Sequence, residues 1–226
     1  MAVADPTLDL EARLHSDGHR FVIGCDEVGR GALAGPVAVG FALVDTAVDP
    51  IPAGLRDSKM LSEKRREELA PLAHAWARYC SVGMATAREV DEIGLSAALG
   101  LAGRRGLLEL HAAGADISSS IVLLDGAFDW LNPALRAPVL VELCVKADRD
   151  CASVAAASVI AKVARDRLMI EADARHPGYE WAGNKGYGSA RHLDAIARLG
   201  ATDLHRRSWL KSAAPTTAPT TVALAS

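Results

Sequence analysis

Apolar runs alternate with polar, glycine- or proline-containing stretches along the chain, and this pattern predicts an α/β protein. Five apolar runs have the length and β-branched content of strands: residues 21–25, 36–44, 78–86, 121–124 and 138–146. Helical spacing predicts helices over residues 8–14, 64–68, 72–77, 89–113 (one short, one longer), 150–174 and 189–199. Ser62 and Ser189 are placed to cap the helices that follow them, and Pro71 is expected to begin a new helical piece.

Acidic residues follow three of the predicted strands. Asp26 and Glu27 come after the first strand, Asp125 ends the fourth, and Asp148 comes just after the fifth. Adjacent strand residues face opposite sides, so we expect the first strand to end before Asp26 and Glu27 if both serve one site. Carboxylates gathered without cations repel one another. Oxygen-only ligands favour Mg²⁺ or Mn²⁺ over zinc, and two such ions about 3.5–4 Å apart suit phosphodiester hydrolysis.

A glycine-rich turn follows the first pair of acids. Gly29 and Gly31 flank Arg30, which allows positive backbone φ angles and a close approach of backbone amides to a ligand. Beside a metal site, such a turn suits a phosphate ester. An acidic strand end followed by an ordinary turn explains this stretch about as well, because a short glycine motif is weak evidence by itself.

Composition and charge narrow the class of protein. No apolar run approaches the ~20 residues that span a bilayer, and acids stand in the first residues where a signal peptide carries positive charge, so we expect a cytoplasmic protein. We also expect the protein to be a monomer. The four cysteines form no C-x-x-C pair. Net charge is −3, divided as −7 over residues 1–145 and +4 over residues 146–226, an asymmetry that can mark a basic binding face.

Several separated motifs together resemble the type 2 ribonucleases H, the ribonuclease HII family. They are DEVGRG (26–31), DSKMLS (57–62), LLDG (123–126), KADRD (146–150), VAAASVIAKVARD (154–166) and NKGYGSARH (184–192), in the family order over about residues 20–210. The resemblance implies a ribonuclease H-like mixed sheet, antiparallel at first and parallel later, flanked by helices and followed by a small C-terminal helical extension from about residue 150. We expect one catalytic domain over residues 1–212 and a disordered tail over 213–226, which is rich in Pro, Thr and Ala.

The resemblance also assigns roles to particular residues. Asp26, Glu27, Asp125 and Asp148 would be the catalytic, metal-binding acids, using Mg²⁺ or Mn²⁺, and two ions during catalysis. Recognition of the substrate would fall to Gly29, Arg30, Gly31, Lys59, Lys146, Tyr187 and Ser189. Lys185 is a further candidate for a phosphate contact, His192 is placed either in the cleft or on a surface helix, and Trp130, Trp181 and Trp209 are expected to be packing residues.

The implied function is endonucleolytic cleavage of the RNA strand of RNA–DNA hybrids, and of duplex DNA on the 5′ side of a single embedded ribonucleotide. The partner would be such a nucleic acid, with no membrane involved. Two alternatives stay open: another integrase-like metal-dependent nuclease, which would not need a 2′-hydroxyl, and a non-catalytic nucleic-acid binding module, which would bind without metal.

Overall fold

The computed structural model describes residues 5–210, and a mixed five-stranded sheet lies at its centre. The strands are β1 (Phe21–Val28), β2 (Val37–Val44), β3 (Tyr79–Ala85), β4 (Ser120–Asp125) and β5 (Leu140–Cys144). They lie in the order β3-β2-β1-β4-β5. β2 pairs antiparallel with β1 and β3, whereas β4 pairs parallel with β1 and β5. The predicted α/β class and the change from antiparallel to parallel strands are confirmed.

Helices cover both faces of this sheet. They are α1 (Asp9–Ser16), α2 (Glu63–Trp76), α3 (Ala87–Ile93), α4 (Leu95–Ala112), α5 (Ala147–Asp150), α6 (Ala152–Arg175), α7 (Trp181–Asn184), α8 (Ala190–Leu199) and α9 (Arg207–Leu210). α6 packs on β1 and β2, with α2 behind it, and α4 packs on β2 and β3 from the other side. Two apolar cores result, one on each face.

Small residues bring α6 unusually close to the sheet. A β-carbon added at Gly24 would lie 2.2 Å from the carbonyl carbon of Ser153, and one added at Gly40 would lie 2.3 Å from the Ala157 carbonyl oxygen. The alanine-rich first half of α6 meets these glycines, and its small side chains allow the close approach. The acids at the end of β1 therefore lie against a helix held in close contact with the strand.

Three local predictions need correction. α2 runs through Pro71 without a new start, because its buried residues keep one continuous face on the core in spite of the lost backbone hydrogen bond. The helix expected over 150–174 is present, but it begins at Ala152, because Cys151 is extended and bridges to Thr7 and so separates α5 from α6. Residues 176–188, over which the sequence predicted no helix, contain α7.

A third apolar cluster holds the C-terminal extension together. Tyr179, Trp181 and Ala195 pack there against Met169 and Ala172 near the end of α6. α6 itself belongs to the sheet layer, so the extension proper begins after it rather than near residue 150. The end of the predicted domain and the predicted disordered tail, from residue 211 onward, lie outside the described residues. Within residues 5–210, no helix combines the length and the apolar character needed to cross a membrane.

Candidate metal and substrate site

Three carboxylates that are distant in sequence meet at one edge of the sheet. Asp26 lies on β1, Asp125 ends β4 and Asp148 lies on α5. One carboxyl oxygen from each lies within 4.8 Å of the others. β1 and β4 run parallel with Cys25 opposite Leu124, so the next residue of each strand reaches the same edge. The structure thus brings together three of the four predicted acids.

Asp148 reaches this acid cluster (Asp26, Asp125 and Asp148) from a helix. β5 ends at Cys144, and Lys146 then takes a left-handed conformation with φ 67° that leads into α5. The backbone N–H of Ala147 donates to Asp125 Oδ1 at 2.8 Å, which ties α5 to the end of β4. Asp148, which was expected to follow the fifth strand directly, is therefore carried to the cluster by a short helix.

Glu27 lies outside the acid cluster. β1 continues through both acids to Val28, paired residue by residue with β2, so the predicted strand end before Asp26 is wrong. The two neighbours therefore face opposite sides of the strand. Arg30 donates to Glu27 Oε1 at 2.9 Å, while Oε2 is buried and has no partner within the described chain. Burial raises the pKa of Glu27, and the charge of Asp125 adds to the rise, although the hydrogen bond from Arg30 lowers this pKa.

Burial also dominates the electrostatics of the cluster itself. Asp26 is 3% exposed, and burial followed by repulsion from Glu27 raises its pKa well above the ordinary value. Burial and the charge of Asp148 raise the pKa of Asp125 in the same way. Carboxylates in this state either take up protons or bind cations, because uncompensated negative charge is costly in a buried site.

Lys59 contributes a positive charge to this site. Its Nζ lies 2.8 Å from Asp148 Oδ2 and 3.9 Å from Asp57 Oδ1. Asp57 is buried and accepts the Lys59 backbone N–H at 3.0 Å, which fixes the turn that carries the lysine. No role was predicted for Asp57, since an aspartate just before a helical turn is usually only a cap.

The donor set fits a hard divalent cation. The candidate ligands are all carboxylate oxygens, which Mg²⁺ and Mn²⁺ prefer. The raised pKa values of Asp26 and Asp125 and the orphaned Glu27 Oε2 point the same way, because a bound cation would offset each of them. Asp26, Asp125 and Asp148 would hold such an ion, and Glu27, whose pKa responds to the charge of Asp125, is a further candidate ligand.

The glycine–arginine–glycine turn follows β1 and lies beside Tyr187. Gly29 has φ +88°, and a β-carbon there would lie 2.3 Å from Arg165 Nε, so both conformation and packing require glycine. Gly31 has neither constraint: its φ is not positive, and open space surrounds the position of a β-carbon. Ala32 forms an antiparallel bridge with Tyr187, which joins the turn to the C-terminal extension.

Lys146 and Ser189 are exposed, as a substrate contact requires, but Ser189 also has a structural role. Its hydroxyl accepts the backbone N–H of His192 as the predicted cap of α8. Lys185, by contrast, is 5% exposed, and its ammonium contacts Glu63 Oε2 at 3.2 Å and the Ala182 carbonyl. Lys185 therefore supports the loop instead of meeting a phosphate.

His192 lies neither in the cleft nor on the surface. It is fully buried; Trp181 Nε1 donates to its Nε2 at 2.9 Å, and its Nδ1 lies 2.9 Å from the Tyr187 carbonyl oxygen. Trp130 and Trp181 are buried and Trp209 packs against the α4-side core, which confirms their predicted packing roles.

Two buried arginines in contact with the turn were not predicted. Arg165 donates to the Pro36 carbonyl at 2.8 Å, and Arg206 donates to the Gly29 carbonyl at 2.6 Å. Arginine is among the residues most rarely buried, so sequence alone favours a surface position for both. The only signal in the sequence was their place within or near the motif-rich C-terminal third.

Comparison with known proteins agrees with this geometry. A family model described as Ribonuclease HII matches residues 23–212. The chain is 41% identical over 209 residues to Ribonuclease HII of Caulobacter vibrioides, covering 91% of this chain and 89% of that protein. It is 44% identical over 192 residues to Ribonuclease HII of Roseobacter denitrificans, covering 85% and 91%.

A solved structure shares the fold as well. The crystal structure of the ribonuclease H2 from Pyrococcus horikoshii OT3 superposes with a TM-score of 0.65 at 25% sequence identity. The match covers 84% of this chain and 93% of that one. The resemblance seen in the motifs therefore extends to the arrangement of strands and helices.

Proposed function

Because this chain belongs to the ribonuclease HII family, a family of nuclease hydrolases, we propose that it cleaves the RNA strand of RNA–DNA hybrids and cuts duplex DNA on the 5′ side of a single embedded ribonucleotide. The products would be a 3′-hydroxyl and a 5′-phosphate. The observation that supports this most is the convergence of Asp26, Asp125 and Asp148 within 4.8 Å, at the end of the strand that leads into the glycine–arginine–glycine turn.

The acid cluster would hold Mg²⁺ or Mn²⁺, with two ions bound during the reaction. When bound, such ions activate a water and stabilise the leaving oxygen of the phosphodiester. The chain's own part is to keep the carboxylates in place. The Ala147 N–H orients Asp125 at 2.8 Å, and Lys59 orients Asp148 at 2.8 Å.

The turn and the C-terminal extension would recognise the ribonucleotide. The Arg30 side chain is 57% exposed and is free to meet a phosphate when it leaves Glu27. Gly31 leaves room for a sugar close to the backbone, where a 2′-hydroxyl distinguishes RNA from DNA. Tyr187 is half-buried beside the turn and would pack on the neighbouring deoxyribose. Lys59, Lys146 and Ser189 would contact the strand's phosphates.

One assay tests this proposal against both alternatives. The protein is incubated with a DNA duplex carrying one ribonucleotide, with an identical all-DNA duplex, and with an RNA–DNA hybrid, each with Mg²⁺, Mn²⁺ or EDTA. We expect metal-dependent cleavage of the ribonucleotide-containing substrates alone. Cleavage of the all-DNA duplex would favour an integrase-like nuclease, and tight binding without cleavage would favour a binding module.

A further inference from the structure

Arg165 and Arg206 are fully buried between the glycine–arginine–glycine turn and the C-terminal extension. Neither forms an ion pair with a carboxylate of residues 5–210. Burial lowers the pKa of both arginines, and the charge of the neighbouring Arg165 adds to this effect and brings the pKa of Arg206 to about 10. A buried guanidinium without a counter-ion is costly. Backbone carbonyls provide the compensation, and those carbonyls belong largely to the turn over residues 29–36.

Arg206 holds this turn at both its beginning and its end. Its guanidinium donates to the carbonyl oxygens of Gly29 at 2.6 Å, Arg30 at 2.8 Å and Gly35 at 3.2 Å. The backbone of Arg206 also donates to the Leu33 carbonyl at 2.8 Å. Two consecutive peptide units, those that follow Gly29 and Arg30, thus have their oxygens directed at one buried cation.

The orientation of those two oxygens decides where the amides point. The peptide bonds are trans, so each N–H points opposite to the C=O of its own unit. The N–H groups of Arg30 and Gly31 are therefore directed away from Arg206, on the exposed side of the turn. Within residues 5–210, neither amide has a hydrogen-bond partner. Two successive outward amides form a concavity of the kind that binds phosphate or hydroxyl oxygens.

Arg165 fixes the other side of the turn and the loop that carries Tyr187. It donates to the carbonyls of Pro36 at 2.8 Å, Lys185 at 2.9 Å and Ala34 at 3.0 Å. Its guanidinium carbon lies 5.3 Å from the centre of the Tyr187 ring. The pair of arginines therefore joins the turn, through its carbonyls, to the loop that faces it.

We propose that Arg206 is a positioning residue for substrate recognition, which aims the Arg30 and Gly31 amides at an oxygen of the ribonucleotide strand, and that Arg165 sets the distance from that turn to Tyr187. This inference rests on the proposed function of the same site. The buried positive charge of the two guanidinium groups adds to the attraction for a phosphate, but the direction of the amides depends on the forked geometry of Arg206, which a lysine lacks.

The test compares Arg206→Lys, which keeps the charge, with Arg206→Gln, which removes it. Cleavage kinetics are measured on the duplex with one ribonucleotide, below the melting temperature of each variant. We expect kcat/KM to fall by roughly tenfold or more in both, since the fork is lost in both, with KM rising in each. Arg105→Gln is the matched control: Arg105 also donates to a backbone carbonyl, that of Met84, and pairs with Glu89, but it lies away from the turn. It is expected to lose stability and to keep the parent kcat/KM.

Two outcomes would overturn the inference. One is a folded Arg206→Gln or Arg206→Lys protein with kcat/KM and KM within twofold of the parent. If both variants fail to fold, the parent protein decides the question by NMR in EDTA, on addition of the same duplex. The Arg30 and Gly31 amide resonances must then shift; no shift at these amides, while other resonances move, would overturn it. A parent protein that cleaves no ribonucleotide-containing duplex would instead refute the proposed function.

Discussion

Lys59 Nζ lies 2.8 Å from Asp148 Oδ2, which makes the lysine a counter-ion of the acid cluster. Burial lowers the pKa of Lys59, but the hydrogen bond to Asp148 and the charges of Asp26 and Asp57 outweigh burial and raise this pKa above its ordinary value. The ammonium therefore stays protonated at neutral pH. Its place beside the carboxylates means that a metal ion and Lys59 stabilise the same charges.

Replacing this lysine should make the protein more dependent on metal. In Lys59→Met, we expect the free energy of unfolding without metal to fall, because the ion pair with Asp148 is lost. The fall should be only about 0.5–1 kcal/mol, because solvent screens an exposed ion pair. The rise in melting temperature on adding Mg²⁺ should be larger than in the parent. The measurement is thermal unfolding with and without Mg²⁺, with Lys64→Met, an exposed lysine of α2, as control. An unchanged Mg²⁺ effect would argue against the counter-ion role.

Asp26→Asn should separate activity from stability. Asparagine keeps the shape of the side chain but removes a buried charge that burial and Glu27 both disfavour. We expect cleavage to fall by more than about a hundredfold, because even outer-shell partners of a metal site are worth 10–100-fold. The melting temperature without metal should equal or exceed that of the parent. Activity assays and thermal unfolding together provide the check, and near-normal cleavage by the folded variant would remove Asp26 from the site.

The sheet and much of the site could be predicted because their signals are local. Each strand is a short apolar run, and the candidate acids come after three of these runs. The parallel pairing of β1 with β4, which brings Asp26 and Asp125 to one edge, is not local and was implied by the resemblance. The end of β1 was harder to place. Glu27 stays in the strand because its backbone pairs with β2 at Val39, and the polar residues at this point of the sequence do not reveal that pairing.

The residues that the sequence did not reveal act through tertiary contacts. Arg206 contacts a turn more than 170 positions earlier in the chain, and a sequence pattern carries no sign of such a contact. Asp57 matters through Lys59, whose partner Asp148 lies on another element. His192 was expected either in the cleft or on a surface helix, whereas an aromatic cluster buries it.

The two glycines of the turn should respond differently to alanine. An alanine at position 29 would have to adopt a left-handed φ, and its methyl group would overlap the Arg165 side chain. We therefore expect Gly29→Ala to lower the free energy of unfolding by about 1–3 kcal/mol. Gly31→Ala meets neither and should change stability by less than about 0.5 kcal/mol. Its cleavage of every ribonucleotide-containing substrate should still fall, because the methyl group occupies the space left for the sugar. Chemical unfolding and cleavage rates, measured on both variants, test the contrast; a fully active Gly31→Ala would contradict it.

A buried histidine should make stability fall in acid. His205 Nδ1 accepts a hydrogen bond from the Thr202 N–H at 2.9 Å, so this nitrogen cannot take up a proton without breaking that bond. The other ring nitrogen of His205, Nε2, lies 3.2 Å from His192 Nε2. Burial first, then His192, His176 and Arg207, lower the pKa of His205 to about 4. The folded state thus binds fewer protons than the unfolded state between about pH 6.5 and pH 4.

The free energy of unfolding should accordingly fall by up to about 3 kcal/mol as the pH drops from about 6.5 to about 4. In His205→Asn, whose side-chain oxygen can still accept the Thr202 N–H, part of this slope should disappear. Urea unfolding across this range provides the measurement, and exposed His111→Asn is the control. A slope that is equal in the parent and His205→Asn would show that other groups cause the acid sensitivity.

Tyr187 provides the sharpest test of how a ribonucleotide followed by DNA is recognised. Its backbone bridges to Ala32, and the Lys162 Nζ and the Arg165 guanidinium lie 5.6 Å and 5.3 Å from its ring centre. These contacts fix the ring beside the turn, where it can pack on the deoxyribose that follows the ribonucleotide. A 2′-hydroxyl on that neighbouring sugar would clash with the ring, so the site should favour a junction from RNA to DNA.

We therefore expect Tyr187→Ala to lower cleavage at a single embedded ribonucleotide by roughly tenfold or more, while the melting temperature changes by only a few degrees. Tyr187→Phe separates the two parts of the side chain: any loss in this variant belongs to the hydroxyl, which makes no hydrogen bond within residues 5–210, and the rest of the Tyr187→Ala loss belongs to the ring. Each protein is assayed on one duplex with a single ribonucleotide and on an otherwise identical RNA–DNA hybrid. The loss should be larger on the first substrate, because only there does a deoxyribose follow the cleaved position. If Tyr187→Ala cuts both substrates as well as the parent does, the tyrosine only anchors its loop, and selectivity for the junction must come from the turn alone.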